Sequence, residues 1–427
     1  MLPSWITLAI VCAMYAAVII FPRKKAYITI SAAIFVVLLG ASSPLDALTR
    51  HINWNILLIY IGSLVIAELF IYSRVPARIA DNIINVSPNV GIAIVVILVI
   101  TGLISAFVEN VATVLVMAPI ALALSKKIKV NPVFFITGLA VMSNLQGTAT
   151  LVGDPPSMIF ASYADYGFND FFFIYGRPSI FFIIQAGMLS GAVFFYIIFL
   201  KNGQQKISVD SEDIVSLVPS VLLILMIVGL AACSFIFNSG VTLTAGLLVI
   251  ALGVAGILWY MFVRKESGAA VKKLVLGLDW ETILFLIGIF VVIGALSDTG
   301  LLTAFAGFLS GVIGGSLLAG FVITIAVSII ISGFVDNVPY IIAMLPVARE
   351  LALGMGIAPE LYMFALLVGS CLGGNLSPFG ASANIVAIGI LKKEGVNLNL
   401  SGWFKIGGPF TLITTAVASL VLWFIWR

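Results

Sequence analysis

Ten apolar runs, each about twenty residues or longer, span this chain, and each can cross the hydrocarbon core of a bilayer as a helix. They predict helices at 5–21, 27–45, 54–73, 132–162, 178–200, 213–236, 241–263, 279–297, 359–391 and 404–426. Two more apolar stretches, 90–125 and 316–354, are each interrupted near the middle by a short polar tip with no loop-length turn. Each starts and finishes on one side, as two crossings or as one re-entrant hairpin. With 62% of 427 residues hydrophobic and 9% charged, no soluble catalytic domain fits, and a dispersed net charge of +3 speaks against nucleic acid as a partner. Cys12, Cys233 and Cys371 lie far apart in apolar runs, without the spacing of a disulfide framework or a zinc site. The stretch from Trp5 to Ile20 has no preceding lysine or arginine, so it reads as a first spanning helix and not as a removable signal.

Basic residues orient the spans, because they accumulate in cytoplasmic loops. An N-terminus outside puts seventeen of the 21 lysines and arginines inside, among them Arg23, Lys24, Lys25, Lys126, Lys127, Lys129, Lys201, Lys272 and Lys273. Only Arg50, Arg177, Arg349 and Arg427 are left outside. The C-terminus is then outside too. The absence of long tails fits a prokaryotic plasma (inner) membrane.

The chain also matches itself. Trp54 and Gly62 pair with Trp280 and Gly288 at a shift of 226. Ser105-Ala-Phe-Val-Glu109-Asn110-Val111 pairs with Ser332-Gly-Phe-Val-Asp336-Asn337-Val338 at 227, as do Gly153 and Ser157 with Gly380 and Asn384. Five crossings separate the two tryptophans, an odd number, so the second copy runs through the membrane in the opposite sense. Inverted repeats with interrupted helices are the architecture of alternating-access transporters, whose sites lie near the midplane. The expected organisation is scaffold helices at 1–50, a first repeat at 51–205, linker and scaffold helices at 206–275, and a second repeat at 276–427. The fold class expected is all-α, with ten to eleven transmembrane helices plus the two hairpins.

Carboxylates inside a span cost about 2.5–3.5 kcal/mol each on insertion scales, so they need a reason to be there. Glu109, Asp154 and Asp336 are deep, and Glu68 lies nearer a cytoplasmic end. No lysine or arginine falls mid-span, so the deep acids are expected to be neutralised by a bound cation or by protons. Glu109-Asn110-Val111-Ala112-Thr113 and Asp336-Asn337-Val338-Pro339 stand where a half-helix begins. Capping alone suits an acid there. The recurrence of acid-Asn-Val in both copies points further, to a Na+ or proton site at Glu109, Asn110, Asp336 and Asn337. Segment 132–162 carries Asn144, Thr148, Thr150, Gly153, Asp154, Pro155, Pro156 and Ser157, and the paired prolines forbid a continuous helix. Its partner 359–391 carries Asn375, Ser377, Pro378, Gly380, Ser382 and Asn384. Both are expected to unwind at mid-depth, where bare backbone is tolerated only against protein or a wet cavity. Gly153, Pro155, Pro156, Pro339, Pro378 and Gly380 are the expected helix breakers. The polar residues are the expected ion or substrate ligands.

Asp279-Trp-Glu-Thr-Ile-Leu-Phe, Val108-Glu-Asn-Val-Ala-Thr, Gly147-Thr-Ala-Thr-Leu-Val-Gly-Asp-Pro-Pro and Ser332-Gly-Phe-Val-Asp-Asn-Val-Pro resemble the ion transporter superfamily. The likeness is to the group of arsenite-pump membrane subunits, NhaD-type Na+/H+ antiporters and the P protein, with a citrate-transporter-like domain. It runs from about residue 50 to 390. The resemblance implies a homodimer in which scaffold helices hold an elevator-type transport domain of two hairpins and two unwound helices. Related sodium-carboxylate transporters carry Ser-Asn-Thr at the tips, where this chain has Glu109-Asn110-Val111 and Asp336-Asn337-Val338. The family's Gly-Asp-Pro-Pro is often followed by asparagine; here Ser157 follows.

The expected function is a cation-coupled permease, driven by H+ or Na+, for a small inorganic ion or oxyanion, by Na+/H+ antiport or arsenite-type export. No cofactor and no enzymatic activity are expected, and the partners are the solute and the lipid. A sodium-coupled di- or tricarboxylate transporter is the alternative. An intramembrane aspartyl protease using Asp154 and Asp336 is more remote, since its glycine two residues before Gly153 is Leu151 here. A passive channel lacks the long polar-lined helices it would need.

Overall fold

The computed structural model describes residues 4–21, 24–128, 131–199, 206, 208–237, 243–300, 307 and 316–427. Of the basic residues used above for orientation, Arg23, Lys129 and Lys201 lie outside the described residues. Helices of eight or more residues are numbered here in chain order. The first half holds α1 (Ser4–Ile20), α2 (Lys25–Leu38), α3 (Trp54–Tyr72), α4 (Val75–Val86), α5 (Val90–Ser105), α6 (Asn110–Ile128), α7 (Val133–Gly147), α8 (Pro155–Ala164) and α9 (Ile180–Phe199). The second holds α10 (Val218–Phe237), α11 (Leu243–Leu258), α12 (Gly268–Gly277), α13 (Trp280–Ser297), α14 (Leu317–Ser332), α15 (Asn337–Gly354), α16 (Glu360–Gly373), α17 (Ser382–Lys393) and α18 (Leu400–Trp426). Seven of the described helices are long and apolar enough to cross a membrane, making this a multi-pass membrane protein. Of the others α15 has 18 residues but is not apolar enough, and the rest are shorter, including α1, α2, both first arms of the hairpins and the halves of the broken helices.

Polar side chains set the helix starts. Asn53 accepts from Ile56 N at the head of α3, and Asp279 accepts from Thr282 N at the head of α13. Asn89 and Ser316 do the same for the first arms of the two hairpins. The run expected at 27–45 ends early, at Leu38. Gly40 (φ 77°) takes the left-handed conformation that terminates a helix, and Ser43-Pro44 opens a separate turn. Two helices escape a reading based on apolar runs, α4 and α12. Both alternate apolar and polar residues at helical spacing, as suits the water–lipid boundary. A short antiparallel pair, Phe173–Ile174 with Arg177–Pro178, turns the chain between α8 and α9.

The helices cross in a matched way. α11 lies on α3, and α2 lies on α13. At the first crossing a Cβ on Gly62 would stand 2.6 Å from Val249 O; at the second a Cβ on Gly288 would stand 2.5 Å from Thr29 C. Backbones therefore touch at both, the close approach that small residues permit between membrane helices. α5 packs on α7, α14 packs on α16, and α9 lies along α18. A side chain at either crossing forces the pair apart. Gly62→Val and Gly288→Val should each destabilise the detergent-solubilised protein by about 1–3 kcal/mol, seen as a lower thermal midpoint. Gly277→Ala, where a Cβ would meet nothing within 4 Å, should leave the midpoint unchanged or slightly raised.

Candidate functional site

The polar centre is built where two helices stop and restart. α7 ends at Gly147 and the chain resumes as α8 at Pro155; α16 ends at Gly373 and, after a tight turn at Gly374–Leu376, resumes as α17 at Ser382. Pro155 and Pro156 occupy the first turn of α8, where no backbone donor is needed. Each break folds onto its own carbonyls. A Cβ on Gly153 would lie 2.5 Å from Gly147 O and 3.0 Å from Ala106 O, and one on Gly380 would lie 2.5 Å from Gly374 O and 2.8 Å from Ser332 O. Only glycine fits, and the second carbonyl in each case belongs to the adjacent hairpin tip. Ser157 Oγ donates to Gly147 O and Thr148 O (3.4 and 3.3 Å), and Asn384 Nδ2 donates to Gly374 O and Ser377 O (2.9 Å each). The serine thus closes the same knot that an asparagine closes in the other half.

Several expected ligands are spent in this way. Thr150 donates to Ala106 O, Thr148 turns back to Asn144 O, Thr113 donates to Glu109 O at 3.0 Å, and Ser377 Oγ accepts from Phe379 N at 3.1 Å. Pro339 is buried in the first turn of α15. These residues hold backbone and do not line the central cavity.

What does converge there is smaller. A cavity of about 30 Å³ is lined by Glu109 and Asn110 from the first hairpin tip, Asp336 and Asn337 from the second, Asp154 and Pro155 from the first break, Ser382 from the second, and Asn144 of α7. That volume is enough for a water or a small ion. Asn375 and Asn384 serve it from behind. Their Nδ2 groups donate to Val141 O and to the carbonyls of the second break, so their Oδ1 atoms accept from Asn144 Nδ2 at 2.9 and 2.8 Å. That uses both Asn144 donors and leaves its carbonyl oxygen with no hydrogen bond among the described residues. Asn110 is fixed likewise: Oδ1 accepts from Ser105 Oγ at 2.6 Å and the amide reaches the Asp154 carboxylate. In the other half Ala381 takes the place of Asp154, at the same shift of 227. The Asn337 side chain makes no hydrogen bond among the described residues.

Charge departs from expectation. The deep acids do have a protein counter-ion, since Lys25 Nζ sits 3.0 Å from Asp336 Oδ2. The reading of Lys25 as a loop residue misses that α2 begins at Lys25 and that the second tip comes down to its first turn. A fourth acid also lines the cavity, Asp279, whose Oδ1 caps Thr282 N and whose Oδ2 accepts from Tyr60 OH at 3.3 Å. Its signal was in the repeat, because Asp279-Trp280 answers Asn53-Trp54 at 226. Lys25 and Tyr60 have no such signal. Glu68, half-buried on α3, does not line the cavity. Four carboxyl groups therefore face one ammonium. Among the described residues no three of His, Cys, Asp or Glu gather closely enough to hold a metal ion, so a cation here would be met by single acids with amide oxygens.

A larger vestibule of about 460 Å³ adjoins the cavity and shares Lys25, Asp336, Ala381 and Ser382 with it. Its remaining walls are mostly apolar, including Val18, Phe334, Pro378 and Phe379, with Glu281 at the edge. Asn144→Ala should strand the Asn375 and Asn384 oxygens and lower the thermal midpoint by an amount equivalent to about 1–3 kcal/mol. Ser157→Asn should keep the midpoint, because Asn384 already makes that contact in the other half.

A family model described as CitMHS, citrate transporter, matches residues 15–369. The 46 kDa membrane protein of Mycobacterium leprae is 30% identical over 98% of both chains. An uncharacterized transporter of Mycobacterium tuberculosis is 28% identical over 98% of both. The human P protein is 23% identical over 98% of this chain and 59% of its own length. Among solved structures, the Alcanivorax borkumensis YdaH transporter superposes with a TM-score of 0.62 at 15% identity, covering 91% of this chain and 87% of that one. MtrF of Neisseria gonorrhoeae, said to illuminate a class of antimetabolite efflux pumps, gives 0.59 at 13% identity, covering 91% and 83%. With most of its length inside the matched region and the same fold as these transporters, the chain belongs to the CitMHS citrate transporter family of membrane transporters.

Proposed function

We propose that the protein is a secondary active transporter that exchanges protons for Na+ or Li+, working as a homodimer in the plasma membrane with both termini outside. The observation that carries this reading is the cavity itself. Among the described residues four carboxyl groups and one ammonium line a space of about 30 Å³, and unneutralised charge at this depth is costly. Cations or protons offset it. The acceptors left over, on Asn144 and Asn337, suit a hard cation such as Na+. Among the described residues no arginine lines the cavity to hold an oxyanion such as arsenite.

The finer architecture belongs to the same proposal. Residues 51–205 and 276–427 are inverted repeats, and 90–125 and 316–354 are re-entrant hairpins. From the charge-based topology these hairpins enter from opposite faces, yet Asn110 and Asn337 line one small cavity. Two complete crossings would leave the tips about 30 Å apart. The matched glycine crossings and matched breaks support the repeat. Hairpins and broken helices move together, elevator fashion, against the remaining helices, and the vestibule opens to the cytoplasm. A protease dyad is disfavoured, because Asp336 is engaged by Lys25.

A second reading rests on one observation, the 460 Å³ vestibule, which has room for an organic carboxylate beside Lys25 and Ser382 and accords with the family's description. Reconstitution in liposomes with an internal pH dye separates the two. External Na+ or Li+ should raise the internal pH, and the Glu109→Gln, Asp336→Asn double variant should abolish the response. A response to citrate alone would support the second reading and end the first; a response to arsenite alone would end both.

A further inference from the structure

Lys25 is placed against the usual rules. It stands in the first turn of α2, where the helix dipole disfavours a positive charge, and its side chain is only 13% exposed. Burying an ammonium there needs compensation, and Asp336 supplies it. Asp336 divides its oxygens: Oδ1 accepts from Val338 N at 3.1 Å, capping α15, and Oδ2 accepts from Lys25 Nζ at 3.0 Å. The Phe285 ring adds a face 5.4 Å from the ammonium. Lys25 and Asp336 both line the small cavity and the vestibule, so their ion pair stands at the neck between the two.

The other half has no such pair. Glu109, the residue matched to Asp336, caps Ala112 N through Oε2 and has no ion-pair partner among the described residues. The helix crossings say why. Thr29 of α2 meets Gly288, as Val249 of α11 meets Gly62. Four residues before Thr29 is Lys25; four residues before Val249 is Ala245. One tip acid is therefore served by a tethered cation and the other is not.

We infer that the Lys25 ammonium is a built-in competitor for the transported cation at Asp336, setting the affinity of the site and holding the second hairpin to α2 until a cation displaces it. This rests on the cation-exchange reading above and adds to it. An arriving Na+ or proton takes the Asp336 oxygen, Lys25 swings toward the vestibule, and the tip is untied from α2. Asp279 and Glu281, at the head of α13, face the same ammonium and receive it when it leaves Asp336. A brace alone would do none of this, and its loss would only weaken the protein.

The test is the concentration dependence of Na+- and Li+-driven proton movement in liposomes. Lys25→Gln should lower the half-saturating Na+ concentration about tenfold, the scale of a charged hydrogen bond removed from competition. Lys25→Arg, which keeps the charge, should stay within about twofold of the parent. Lys25→Cys should resemble Lys25→Gln, and 2-aminoethyl methanethiosulfonate, which restores an ammonium on the same folded protein, should return half-saturation toward the parent value. A lower maximal rate at unchanged half-saturation in both Gln and Cys variants, without chemical rescue, would make Lys25 a brace and overturn the inference while leaving cation exchange intact. Silence of the parent protein toward both cations would overturn both.

Discussion

Backbone left bare in the middle of a membrane has to find its hydrogen bonds within the protein. Everything at the centre of this molecule follows from that constraint. Two helices are broken, by Pro155-Pro156 after one and by the Gly374–Gly380 stretch after the other, and each break exposes carbonyls that no lipid can satisfy. The chain answers with glycines that let the break fold onto itself, side chains that donate back to it, and a hairpin tip pressed against it. Ala106 O against Gly153 and Ser332 O against Gly380 are the two seams. Because the tips are needed to seal the breaks, tip acids and break residues are brought to one place, and the cavity is what the sealing leaves.

That cavity is charged out of balance, and the proposed function rests on the imbalance. Among the described residues Glu109, Asp154, Asp279 and Asp336 oppose Lys25 alone. The two halves differ around the matched crossings and breaks. The first keeps an extra acid, Asp154, tied to Asn110; the second has Ala381 there, a free Asn337, and a lysine borrowed from α2. Matched crossings and breaks thus surround an unmatched site, with one half presenting acids and the other an acid already filled by the protein's own cation.

Much of this was legible in the sequence. The shift of 226–227 and the acid-Asn-Val tips pointed to these loops, and Glu109, Asn110, Asn144, Asp154, Asp336, Asn337 and Ser382 line one cavity. The paired prolines put the first break where it is. Three things were not legible, each for a physical reason. Hydroxyls near a break look alike whether they face an ion or a carbonyl, so Thr148, Thr150 and Ser157 were read as ligands when they secure backbone. A residue at a helix end looks interfacial until its neighbours are known, so Lys25 and Asp279 were passed over. Amphipathic helices such as α4 have no apolar run, and a search for spans does not see them.

The central claim is that this cavity takes a cation in exchange for protons. The most direct measurement adds Na+ or Li+ to the detergent-solubilised protein in unbuffered solution with a pH indicator, and follows heat of binding in parallel. The account predicts saturable release of about one proton per chain, as expected when a cation and a proton compete for one carboxylate, and loss of that release in Glu109→Gln, the tip acid with no ion-pair partner among the described residues. Cation binding by calorimetry with no release of protons would contradict it.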